Sequence, residues 1–164
     1  MKRDSYTAGI AAAVLIVLGL AGPAAAGEQV PFKGTVEGSL SSRTFLDPPF
    51  ALDRFEMTGN GTQFGELDLV ILALVDLSAR TAVGTYEFVA ANGDTLTADF
   101  VGSSVPTETP GVVLITEVAI ITGGTGRFAG ASGSFICDRL FAPGTGITIG
   151  VFDGTISTAG ASKP

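Results

Sequence analysis

Gly123-Gly124-Thr125-Gly126-Arg127-Phe128-Ala129-Gly130-Ala131-Ser132-Gly133 separates two β-rich segments, and its reading decides the fold. Residues 124–129 satisfy the pattern G-x-G-x-x-A, with which a strand–turn–helix unit grips a dinucleotide. That pattern works only when a helix follows, so that the pyrophosphate rests on the helix N-terminus. Here Gly130, Ser132 and Gly133 follow, and then the β-rich Phe135-Ile136-Cys137. Nucleotide binding is therefore set aside, and no cofactor is expected. The structural reading is a tight turn in which Gly126 takes a positive φ. Phe128 then folds beneath the turn to plug one end of an apolar interior. Thr125 and Arg127 satisfy exposed backbone groups of the loop.

Outward from this loop, short segments rich in Val, Ile, Thr and Phe alternate with Gly- and Pro-containing turns. Strands are predicted at 30–40, 52–58, 66–77, 84–90, 95–101, 112–122, 134–141 and 147–157. In the first, Phe32, Val36 and Leu40 alternate with Lys33, Thr35, Glu37 and Ser39, the period of a half-buried strand. Asn60-Gly61 and Asn92-Gly93 are both read as hairpin turns. The segment 67–77 (LDLVILALVDL) is apolar at both parities, so a strand and a short buried helix both fit it. The strand is favoured because every neighbour is β. About eight strands with closely spaced turns predict an all-β fold, an eight-stranded antiparallel closed β-barrel.

The N-terminus reads as a secretory signal: Lys2 and Arg3, the apolar run 10–20, Pro23, and Ala24-Ala25-Ala26 at a cleavage site. The run is about half of the roughly 20 residues a membrane-spanning helix needs. The expected organisation is a signal peptide at 1–26, one barrel domain at 27–157 and a tail at 158–164. The location is secreted or periplasmic, with no membrane attachment after cleavage.

The formal net charge is −7, with 9 Lys and Arg against 16 Asp and Glu. Such a chain has no basic footprint for nucleic acid. There is no histidine and one cysteine, Cys137. Histidine-dependent nucleophile systems and most zinc sites are thereby excluded, and no metal is expected. No intrachain disulfide can form, and Cys137 reads as a buried, inert thiol.

The glycine-rich loop, with Gly123, Gly124, Thr125, Gly126, Phe128, Gly130 and Gly133, resembles that of the allene oxide cyclase barrel superfamily, which includes the plant dirigent proteins and many small exported bacterial members. Gly59-Asn60-Gly61-Thr62-Gln63-Phe64-Gly65 and Ala90-Ala91-Asn92-Gly93-Asp94-Thr95-Leu96 resemble two further segments of that superfamily, in the same order. The resemblance implies an eight-stranded barrel with a hydrophobic cavity, commonly trimeric. It also implies ligands of fatty-acid or phenolic type. Only the turn motifs match, so it assigns no catalytic residue.

Five residues are pocket candidates. Glu117 interrupts an apolar strand; it either points inward as a general acid or base, or faces solvent or an Arg. Cys137 and Arg139 share a strand face with Phe135 and Phe141. That face fits a carboxylate-bearing lipid, or an Arg at a barrel mouth with its stem packed on Phe141. Tyr86 and Asp99, on neighbouring hairpin strands, carry the same ambiguity. Three functions follow: a barrel binding a small hydrophobic ligand, an intramolecular cyclase or isomerase, and a filled structural barrel acting in protein interactions. A cavity above about 300 Å³ separates the first two from the third. A homo-oligomer is expected, because a strand apolar on both faces must be covered on both.

Overall fold

The computed structural model describes residues 28–158. The signal segment lies outside these residues, as do 159–164 of the tail. Eight strands follow in order: β1 (Val30–Phe45), β2 (Phe50–Gly61), β3 (Gly65–Asp76), β4 (Thr81–Ala90), β5 (Thr95–Pro106), β6 (Val113–Gly124), β7 (Ser132–Ala142) and β8 (Ile147–Ser157). Each pairs antiparallel with the next, and β8 closes on β1. The expected closed barrel is thus the observed one. The 67–77 segment is a strand, paired along its length with β2 and β4. Leu69, Ile71 and Ala73 are buried in the barrel, while Leu72 and Leu74 are 41% and 40% exposed on its outer wall.

The alternation of side chains follows from the strand pleat. Phe32 and Val36 of β1 are buried, while Lys33, Thr35 and Glu37 face out. A bulge at Ser41 then shifts the register, so that Leu40 pairs with Phe55 but Ser42 pairs with Arg54. The extra residue exchanges the two faces of β1 beyond it. Arg43, which strict alternation would place outside, therefore turns inward opposite Asp53.

One end of the barrel is filled by aromatic rings. Phe32 packs on Phe152 and Phe135, with centroids at 4.9 and 5.1 Å. Phe64 packs on Phe128 at 4.7 Å. So many rings fit because some inward positions carry no side chain: a Cβ at Gly34 would collide with the Phe152 ring. Phe128 sits in a single 3₁₀ turn, Gly126–Phe128, and is 1% exposed. It is the plug expected of it.

One turn reading needs correction. Asn60 and Gly61 belong to β2, and the turn is Thr62-Gln63-Phe64 between the paired Gly61 and Gly65. Gln63 and Gly65 carry the positive φ there, and Phe64 tucks into the core. The turn slips two residues because burying Phe64 outweighs the local preference of Asn-Gly. Asn92-Gly93 does mark a hairpin, but only Gly93 has a positive φ, and the loop covers 91–94.

The glycine-rich loop is tied to that hairpin. Thr125 Oγ1 accepts from the Thr95 amide at 3.0 Å, and the Thr125 amide donates to the Thr95 carbonyl at 2.8 Å. Asp94 accepts from Asn92 Nδ2 at 2.9 Å and from the Arg127 amide at 3.2 Å. The Asn92 amide and then the Arg127 backbone bond hold the Asp94 carboxyl below its ordinary value. A carboxylate whose folded pKa is depressed stabilises the fold above its unfolded pKa of about 3.9, and loses that contribution as pH falls through the folded value. Asp94→Asn is therefore expected to be less stable than wild type at pH 7, with the difference closing as the pH falls below the unfolded value of about 3.9 and the carboxylate takes up its proton. Urea melts across that range check it; a difference independent of pH would contradict it.

Candidate functional site

The other end of the barrel is different. Glu117 on β6, Arg139 on β7 and Tyr86 on β4 are each 1% exposed and meet in the interior. Arg139 donates from Nε to Glu117 Oε2 at 3.0 Å and from Nη2 to Oε1 at 2.6 Å, a bidentate pair. The Tyr86 hydroxyl donates to Glu117 Oε2. Arg139 Nη1 reaches Thr148 Oγ1 on β8 at 3.5 Å. The guanidinium lies over the Phe55 ring, 4.7 Å from its centroid, a cation–π contact. Cys137, one inward position along β7, is buried beside Tyr86.

A second ion pair stands nearer the rim. Arg43 donates from Nε and Nη2 to the two oxygens of Asp53, each at 2.6 Å. Asp53 is buried, and the Arg43 side chain is 24% exposed. Between the two pairs opens a cavity of about 170 Å³, lined by Arg43, Asp53, Phe55, Glu117, Arg139 and Phe141 among others. It lies below the roughly 300 Å³ typical of drug-sized ligand pockets. A dry cavity of about 150 Å³ nevertheless takes benzene.

Electrostatics fix the protonation of these groups. Burial acts most strongly on Arg139 and would lower its pKa, but the Glu117 charge and its hydrogen bonds prevail and raise it. Burial, reinforced by the Glu117 charge, pushes Tyr86 well above the ordinary phenol value. The same two causes push the Cys137 thiol up to about 12. The hydrogen bond to Asp53 raises Arg43. At neutral pH the guanidiniums are charged, the phenol and thiol keep their protons, and Glu117 is saturated by donors. The site thus offers hydrogen bonds and apolar walls rather than a free base or nucleophile.

Four of the five candidates from the sequence, Tyr86, Glu117, Cys137 and Arg139, come together here. Glu117 takes the inward option, but as the partner of an Arg. Asp99 does not join them: it faces outward on β5 opposite Thr85. Leu96, Ala98 and Phe100 are the buried positions of β5, so Asp99 lies on the opposite parity. Asp53, Arg43 and Thr148 belong to the site and were not singled out. Asp53 carried the same signal as Glu117, a lone carboxylate in phase with Phe55 and Met57.

No protein-family model and no curated protein matches this chain. Among solved structures, the barrel is similar to that of the pterocarpan synthase dirigent protein GePTS1, with a TM-score of 0.54 over 87% of this chain and 92% of that one. The fold is dirigent-like. At 12% identity the likeness concerns the fold alone. It agrees with the resemblance carried by the three turn motifs. The dirigent-like barrel holds its two inward-facing ion pairs, Arg43–Asp53 and Arg139–Glu117, at the end away from the glycine-rich loop, so the motifs that mark the fold do not mark the site.

Proposed function

We propose that this protein is a binding barrel whose mouth receives one small hydrophobic ligand, a single ring with a polar substituent, over the Arg139–Glu117 pair. One observation carries this reading. A fully buried ion pair lies against open space in a barrel that is otherwise packed with rings. Buried ion pairs are poor stabilisers compared with apolar packing, so their presence beside a cavity favours a role in recognition. The volume favours a phenolic-sized ring over a long acyl chain. The absence of a free base at the site favours binding over cyclase or isomerase chemistry. The filled structural barrel is the second reading, favoured by the aromatic packing of the opposite end.

Binding to the native state alone raises stability. Single-ring ligands at millimolar concentration are expected to raise Tm, while long-chain fatty acids do not. Ala82→Leu, which fills the cavity lining, abolishes the rise. A Tm unmoved by any ring compound would favour the filled barrel.

The same reading places the barrel in a homo-oligomer. Leu52, Leu74, Val83, Val101, Val118 and Ile136 are paired in turn from β2 to β7 and form a continuous apolar belt on the outer wall. An exposed stripe of this length is the mark of an interface. Arg54, Glu56, Asp68, Glu87, Asp99 and Asp153 also face outward, and charges on a lipid-facing wall are costly, so a second copy suits the belt better than lipid. Three copies are the number the superfamily resemblance implies. The wild type is expected to sediment as an oligomer at micromolar concentration and Leu74→Glu as a folded monomer; a monomeric wild type would contradict the interface. The signal-like N-terminus supports a secreted or periplasmic location.

A further inference from the structure

We infer that the mouth pocket selects uncharged ligands and rejects carboxylates, and that Glu117 and Asp53 are the residues that set this selectivity. The inference rests on the binding reading above and names the charge class of the ligand. Arg43, Arg80 and Arg139 line the cavity together with Asp53, Asp76 and Glu117, three basic residues against three acidic ones. The two innermost guanidiniums are each already closed by a bidentate carboxylate.

Arg80 is exposed at the rim and carries no ion pair among the described residues, but at the two inner pairs an incoming carboxylate would lose its hydration without gaining an unspent positive charge. It would also lie against Glu117, and like charges brought together in an interface oppose binding. An uncharged ligand meets neither cost. It needs only an acceptor, because a guanidinium carries five N–H groups and the contacts of Arg139 use one on Nε, one on Nη1 and one on Nη2. One N–H on each terminal nitrogen is left for a ligand oxygen. Phe55 and Phe141 supply ring contacts beside it. The chemistry that fits is a neutral ring bearing a carbonyl or ester oxygen.

Charge balance also says how to reverse the preference. Neutralising Glu117 frees the Arg139 charge, and neutralising Asp53 frees that of Arg43. The test is calorimetric titration at pH 7 of benzoate and methyl benzoate, two ligands of similar size that differ in charge. Wild type is expected to bind methyl benzoate tighter by about tenfold or more. Glu117→Gln should bring benzoate level or ahead. Asp53→Asn, whose partner Arg43 is 24% exposed and can reach water, should shift the ratio in the same direction. Benzoate binding wild type as tightly as the ester would overturn the selectivity while leaving the pocket standing. Neither compound binding would overturn both readings. An unchanged ratio in the folded variants would overturn the assignment to Glu117 and Asp53.

Discussion

Arg139→Met is expected to lower the unfolding free energy by about 3–5 kcal/mol, because it leaves the Glu117 carboxyl group buried without its cationic partner. Arg139 and Glu117 are each 1% exposed, so water entering from the cavity supplies hydrogen bonds but not the lost opposite charge. The size of this effect is a penalty for breaking the pair, not the worth of the pair itself. Replacing the whole unit with apolar groups removes the orphaned carboxyl group. Arg139→Met/Glu117→Leu/Tyr86→Phe is therefore expected to recover most of the loss, since the Tyr86 hydroxyl, which donates to Glu117, would otherwise be left unsatisfied. Urea melts of the single and triple variants check this. A single variant within about 1 kcal/mol of wild type would mean that the interior is wetter than the burial implies.

Phe128→Ala is expected to cost a further large amount, about 3–5 kcal/mol for a fully buried aromatic side chain. Phe128 packs on Phe64 and closes the end of the barrel opposite the ion pairs. Its position depends on Gly126, which has φ +55° and whose missing Cβ would overlap the Asp94 carboxylate. Gly126→Val therefore meets both backbone strain and a clash. Gly130 has φ +71° with open space around it, so Gly130→Ala meets the strain alone and costs less. Denaturant melts placing Phe128→Ala within about 0.5 kcal/mol of wild type would contradict the plug.

The strands and their order were legible because alternation and turn residues repeat at short intervals, and the two-faced apolar segment at 67–77 was resolved by its β neighbours. The inward cluster was legible in part. Glu117, Cys137 and Arg139 stand on runs whose parity is undisturbed, so a polar residue in phase with apolar ones points in. Arg43 was hidden because the bulge at Ser41 changes its face, and a bulge leaves no reliable mark in the polar sequence around Ser39, Ser41 and Ser42. Asp99 falls out of the cluster on a parity that is itself clean: Leu96, Ala98 and Phe100 are the inward positions of β5, and Asp99 alternates with them. The slipped turn at Thr62-Gln63-Phe64 had a tertiary cause, the burial of Phe64, which no local preference contains.

The central claim is that a ligand enters the mouth between the Arg43–Asp53 and Arg139–Glu117 pairs. Amide chemical-shift mapping by NMR, with the protein titrated by methyl benzoate, tests it most directly. The account predicts saturable shifts grouped at Arg43, Asp53, Phe55, Glu117, Arg139 and Phe141, with Phe128 and the glycine-rich loop unmoved. Shifts confined to the outer belt around Leu74, Val83 and Val101, or none at all, would contradict it.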